Sequence, residues 1–183
     1  METFYIDRNF YTKRPDAKGR LEKEMKTYDL LEQLNIPFVR MDHDVTPTIE
    51  ACEEIEKLLE ISICKNLFLT NSAKTQFYLL MMPGRKKFRT ADVSKQIGSS
   101  RLSFASETYM EEYLNLTPGS VTVLGLMNDH AHNVTLLIDR DLLSCEYIGC
   151  HPCINTSSLK LRTTDILTKF LPYTGHTPTI VDL

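Results

Sequence analysis

Ile61-Ser62-Ile63-Cys64-Lys65-Asn66-Leu67-Phe68-Leu69-Thr70 and Gln76-Phe77-Tyr78-Leu79-Leu80-Met81-Met82 are two apolar runs separated by Asn71-Ser72-Ala73-Lys74. Runs of this length bounded by turn-forming residues read as strands, and the short polar break makes an antiparallel hairpin the simplest pairing. Pro83-Gly84 ends the second run. Lys65-Asn66 interrupts the first, and because neighbouring strand residues point to opposite faces, Lys65 and Cys64 cannot share one. If Lys65 faces a cleft, Cys64 faces the core.

Upstream of the hairpin, Leu21, Met25, Tyr28, Leu31 and Leu34 recur at steps of three or four and predict an amphipathic helix that Pro37 stops. Phe38-Val39-Arg40-Met41 reads as a short strand leading to His43. Thr46-Pro47-Thr48 offers N-cap candidates for a second helix carrying Ile49, Cys52, Ile55 and Leu59. Downstream, Thr90 is expected to cap a helix that reaches Ile97 and ends at Gly98, and Ser106 to cap another through Leu114. Strands are expected over residues 121–126, 134–138, 146–150, 159–162 and 179–181, and a helix over 164–171. Residues 1–20 have no period and read as an irregular N-terminal extension; residues 21–183 read as one domain. Strands and helices mix without strict alternation, so the expected class is α+β with a mixed sheet.

The 183 residues suffice for one sizeable core, and 42% hydrophobic with 25% charged residues is close to globular usage. No stretch is apolar enough to cross a bilayer, and the acidic start lacks the basic and apolar regions of a secretory signal. Five cysteines without an export signal suggest reduced thiols and a cytoplasmic setting. A net charge of −3 argues against indiscriminate binding to nucleic-acid phosphates, and no recognition helix for DNA is apparent. Gly84-Arg85-Lys86-Lys87-Phe88-Arg89 is the one dense basic run; with Lys65, Lys74, Lys95 and Arg101 it has the charge to meet a few phosphates, and it reads equally as a solvated turn.

Chemistry-bearing residues have ordinary readings beside the functional ones. Cys150-His151-Pro152-Cys153, with Cys145 upstream, offers zinc-ligand types, but a second Cys-x-x-Cys is missing and Pro152 stiffens the link, so no metal is expected. His130-Ala131-His132 lies in a turn, where solvent-facing histidines are the default. Cys64 beside Lys65 is a conceivable nucleophile, opposed by the alternation of faces. Ser120 follows a glycine without a Gly-x-Ser-x-Gly elbow, so no serine triad is supported. Lys65 reads as an edge-strand lysine as readily as a ligand for substrate, His151 as a packed histidine, and Gly119 as a turn residue after Pro118.

Cys64-Lys65-Asn66-Leu67-Phe68-Leu69, Thr117-Pro118-Gly119-Ser120-Val121-Thr122 and His151-Pro152-Cys153-Ile154-Asn155-Thr156, in this order, resemble the YbaK/ProX family, the free-standing relatives of the editing domain inserted in bacterial prolyl-tRNA synthetases. The resemblance runs from about Leu21 to Leu183. It includes the stretch from His43 to Glu50, Arg101-Leu102-Ser103-Phe104-Ala105-Ser106, Gly125-Leu126-Met127-Asn128-Asp129 and the segment from Phe170 to His176. It implies a partly barrel-like YbaK/ProX fold and an aminoacyl-tRNA deacylase that needs no cofactor, most similar to the ProX type that removes alanine from proline tRNA.

On this resemblance Lys65 and His151 are the expected catalytic residues. Lys65 would bind the phosphate or ribose of the CCA end. Asn66, Gly119, Ser120 and Asn155 would bind substrate and shape the aminoacyl pocket. Hydrolysis would use a positioned water assisted by the substrate's own ribose hydroxyl, with His151 orienting rather than attacking and no side chain acting as an indispensable base. The expected partners are tRNA and, through docking, prolyl-tRNA synthetase. The alternatives are a deacylase for cysteine, serine or threonine, and a non-catalytic tRNA- or synthetase-binding module of the same fold. Val123, where relatives commonly carry proline, and Ile61-Ser62-Ile63-Cys64, where many carry a glycine-containing loop, depart from the family pattern near the inferred pocket.

Overall fold

A computed structural model describes residues 4–45 and 49–183. Along it run α1 (Glu22–Gln33), β1 (Phe38–Asp42), α2 (Ile49–Leu59), β2 (Cys64–Thr70), β3 (Phe77–Pro83), α3 (Thr90–Ile97), β4 (Ser103–Phe104) and α4 (Glu107–Leu114). A 3-10 turn (Val123–Asn128), β5 (Val134–Asp139), a second 3-10 turn (Arg140–Ser144), β6 (Tyr147–Cys150), β7 (Ser157–Arg162), a helical stretch over 163–174 and β8 (Thr179–Val181) complete it. The class is α+β with mixed pairing, as the interleaved periods predicted. Among the described residues no helix is long and apolar enough to cross a membrane.

The expected hairpin forms: β2 and β3 pair antiparallel from Cys64↔Pro83 to Thr70↔Phe77, with Lys74 left-handed in the turn. β3 is buried on both faces, which its unbroken apolar run requires. It is the middle of a five-stranded sheet ordered β4-β2-β3-β5-β8, in which β3, β5 and β8 are parallel. β1, β7 and β6 form a second, antiparallel sheet. Phe68, Leu79 and Leu136 of the larger sheet join Phe38, Ile148 and Leu159 of the smaller in the main core, with Tyr28 and Leu31 of α1. A single parallel bridge, Ile63↔Gly149, joins the edge just before β2 to β6 and gives the two sheets a partly closed, barrel-like outline.

Three local expectations are corrected. Residues 121–126 are not a strand: Val123, Leu124 and Leu126 are all buried, and the Thr122 hydroxyl accepts the Leu124 N–H to start a 3-10 turn. Thr90 is the first residue of α3 rather than its cap, and the Ser106 side chain makes no capping bond. Leu21, counted on the apolar face of α1, is 59% exposed at the helix start. The cap candidates Thr46-Pro47-Thr48 lie outside the described residues.

Residues 4–20 run beside β1. Asp7 N–H donates to the Asp42 carbonyl (2.9 Å), Tyr11 N–H to the Arg40 carbonyl (2.9 Å), and Arg40 N–H returns to the Tyr11 carbonyl (2.7 Å). Arg20 bonds both Glu24 and Asp42, while Arg40 pairs with Asp42 and its guanidinium stacks on the Tyr11 ring at 4.5 Å.

Candidate active site

Alternation along β2 decides which side chains can meet. Cys64 and Phe68 point into the core between the sheets, and Leu67 and Leu69 point to the opposite, outer face under α3. Ile63 lies on that outer side against Met41, Ile55 and Leu59. Lys65 therefore stands on the outer face, in the gap between the cover given by α2 and that given by α3, and it is exposed. In β6, Ile148 and Cys150 point into the core, whereas Gly149 packs so closely on Ile61 and Ile63 that a methyl there would lie 2.4 Å from Ile61 Cδ1. The bridge is parallel, and it sets the chain just before β2 beside Gly149 of β6. The chain just before the first sequence motif thus lies beside the chain just before the third, through a contact between residues 86 apart.

Beyond that bridge the edges of β2 and β6 part. β4 covers β2 only from Leu69 onward, with Ala105 N–H donating to the Phe68 carbonyl at 2.9 Å. Antiparallel alternation then turns the backbone groups of Cys64 and Asn66 to the same edge, ahead of the stretch that β4 covers. The Asn66 amide nitrogen reaches back to the Cys64 carbonyl (3.3 Å), and its buried Oδ1 has no partner among the described residues. Lys65 Nζ donates to the Lys86 carbonyl at 3.0 Å. The Lys86 ammonium itself is engaged by Asp139 and Asp141, so the central member of the basic run is consumed internally.

Among the described residues one hydrogen bond holds the His151 ring. Its Nδ1 lies 2.9 Å from the Ser157 carbonyl, which can only accept, so Nδ1 carries the proton and Nε2 is left as an acceptor. Burial lowers its pKa from the ordinary imidazole value, against the opposing effect of the Ser157 carbonyl, which favours the neutral ring at pH 7. His43, which sequence reasoning did not select, lies with its ring centroid 6.5 Å away. Its Nδ1 donates to the Asp44 carbonyl (2.7 Å), and Ser158 Oγ lies 2.9 Å from its Nε2. Burial lowers its pKa as well. Its position opening the His43-to-Glu50 stretch was the available signal.

The second motif joins the third. Gly119 is left-handed (φ +83°), and a methyl there would come within 3.2 Å of the Asn155 amide nitrogen. Ser120 is 1% exposed, and its hydroxyl is spent on the turn, donating to the Thr117 carbonyl (2.8 Å) and accepting the Thr117 N–H (3.2 Å). Asn155 also lines a cavity of about 180 Å³ with Thr117, Ile154 and Thr156.

The three buried thiols are poor nucleophiles. Burial pushes Cys64 up to about 12 and Cys153 to about 11, and raises Cys150 also. Among the described residues no three His, Cys, Asp or Glu side chains cluster as metal ligands.

The aminoacyl-tRNA editing domain family matches residues 43–169, more than half of the chain, and the chain belongs to that family. This makes it an enzyme of the aminoacyl-tRNA deacylase class. It is 33% identical over 153 residues to the prolyl-tRNA editing protein ProX of Acetoanaerobium sticklandii, covering 84% of this chain and 93% of that one. It is 31% identical over 163 residues to prolyl-tRNA synthetase associated domain-containing protein 1 of Danio rerio, covering 88% and 86%. A solved structure of a candidate trans-editing enzyme for prolyl tRNA synthetase shares the fold, with a TM-score of 0.65 at 15% identity over 89% of this chain and 98% of that one.

Proposed function

We propose that this protein is a trans-editing deacylase that hydrolyses the ester of mischarged tRNA(Pro), with alanyl-tRNA(Pro) as its preferred substrate. This reading is supported by an exposed Lys65 on the outer face of β2 and by a His151 whose Nε2 is left as an acceptor, on strands that the Ile63↔Gly149 bridge links. The ammonium suits the phosphate or ribose of the CCA end. The imidazole suits a hydrogen-bonding role toward the substrate's ammonium, its ribose hydroxyl or the attacking water.

An aminoacyl ester is activated, so positioning and donors for the developing oxyanion matter more than a protein nucleophile. Water adds to the ester carbonyl, the bond from carbon to ribose oxygen breaks, and the proton ends on that oxygen, giving free alanine and tRNA. The high thiol pKa values and the internally bonded Ser120 favour this route over a covalent one. Sparing of prolyl-tRNA requires a pocket with room for a methyl and none for a pyrrolidine ring. The names of the relatives support tRNA(Pro) as the carrier and association with prolyl-tRNA synthetase.

The test is a panel of alanyl-, cysteinyl-, seryl- and threonyl-tRNA with wild type and His151→Ala. Fast loss of alanine, slowed in the variant, supports the reading. Preference for another residue moves the substrate, and unaltered rate and selectivity in the variant remove His151 from the site.

A further inference from the structure

Phe104 is 64% exposed in a two-residue edge strand, within a family-like segment that neither the core nor the catalytic reading uses. Its register partner is Leu69, on the outer face that also carries Lys65. Four residues separate Leu69 from Lys65, about 13 Å at the usual strand rise. Phe104 rests against Phe88, with ring centroids 6.0 Å apart and the planes inclined by 55°. Residues 86–88 span the interval, because the Lys86 carbonyl holds Lys65 at one end and Phe88 supports Phe104 at the other. Around this track Arg85, Lys87, Arg89 and Arg101 are exposed. Among the described residues none of the four makes an ion pair, while the neighbouring Lys86 makes two. An apolar ring on the surface amid free cations matches unpaired nucleotides, whose bases stack on aromatic side chains while their phosphates meet the charges.

We infer that Phe104, backed by Phe88, is a stacking platform for the unpaired bases preceding the terminal adenosine of the tRNA, with Lys87, Arg89 and Arg101 meeting the phosphates. This rests on the deacylase reading in that Lys65 receives the 3′ end. The platform then sets the direction of the strand, which runs from the β4 edge toward the mouth between β2 and β6. The protein reads the end of its substrate by shape and stacking, in keeping with a chain whose overall charge of −3 provides no general attraction for RNA.

The experiment measures binding, by fluorescence anisotropy at fixed salt, of an RNA acceptor-stem hairpin with an unpaired CCA end and of the same hairpin trimmed flush. Wild type, Phe104→Ala and Phe104→Trp are compared. The expected result is about tenfold weaker binding of the CCA-ended hairpin by Phe104→Ala, the scale of one lost base–aromatic stack. Phe104→Trp retains affinity, and the flush hairpin binds all the proteins alike. Wild-type affinity in Phe104→Ala, equal losses on the flush hairpin, or a tryptophan variant as weak as the alanine one would overturn the inference. Hydrolysis by wild type is scored separately. A Phe104-dependent CCA contact without hydrolysis keeps the platform and removes the deacylase reading, and hydrolysis without a Phe104 effect does the reverse.

Discussion

Replacing Gly84 with alanine should damage the site without removing any side chain proposed to act in it. A methyl at Gly84 would lie 2.7 Å from the Ile63 carbonyl oxygen, well inside contact distance and against backbone rather than a flexible side chain. Ile63 has little freedom to yield. It bridges to Gly149, its N–H donates to Glu56 (2.8 Å), and its side chain packs beside Leu59. The segment after Gly84 must move instead, carrying the Lys86 carbonyl away from Lys65 Nζ. Overpacking of this kind costs about 1–3 kcal/mol, and a displacement approaching 1 Å at a reacting centre lowers rate by up to roughly a hundredfold. Gly98→Ala is the control. Gly98 is left-handed (φ +65°) with nothing in the way of a methyl, at the end of α3 beside the Ser72–Ser100 contact, remote from Lys65. It should lose about 1–2 kcal/mol through backbone strain alone. Urea unfolding and kcat/KM on alanyl-tRNA(Pro) are measured for both variants. The expectation is comparable destabilisation with loss of activity in Gly84→Ala only; wild-type kcat/KM in Gly84→Ala would show that the Lys86 carbonyl does not position Lys65 for catalysis.

Cys64→Ala should leave kcat unchanged, and brief iodoacetamide treatment of the folded protein should not inactivate it, because burial holds that thiol protonated with a pKa near 12. Inactivation that tracks alkylation of Cys64 would point to a covalent route. Stability should fall as pH drops below about 6.5, the ordinary imidazole value. The folded-state pKa values of His43 and His151 are both lowered, chiefly by burial, so the unfolded chain takes up protons there that the folded chain refuses. The contribution is present above that pH and lost as pH falls through the folded values. Urea midpoints at pH 7.5 and 5.5, with His43→Gln flattening the difference, check it.

Much of the fold was legible where one rule governs one element. The apolar runs around Asn71-Ser72-Ala73-Lys74 could only bury themselves as a hairpin, and Gly98 ends α3 in the left-handed conformation its residue type suits. Residues 121–126 failed because a short run buried on every side has no period with which to tell a strand from a helical turn. Residues 4–20 gave no signal because their order rests on backbone bonds to β1 and on the Arg20–Asp42 and Arg40–Asp42 pairs, which leave no apolar rhythm. Within the candidate site, alternation foretold that Cys64 would turn into the core and leave the other face to Lys65. That the chain entering β2 lies beside β6 depends on the Ile63↔Gly149 bridge, a non-local contact that no window of sequence contains; only the family resemblance grouped those motifs in advance.

Single-turnover deacylation of alanyl-tRNA(Pro) and prolyl-tRNA(Pro), each with wild type and Lys65→Ala, decides whether this protein edits through Lys65. Loss of a charge-assisted contact to the CCA end is worth about 1.5–3 kcal/mol, or roughly ten- to a hundredfold in kcat/KM. Rapid release of alanine, sparing of prolyl-tRNA and a fall of that size in the variant are expected. Equal hydrolysis of both substrates, or a variant as active as wild type, would contradict the proposal.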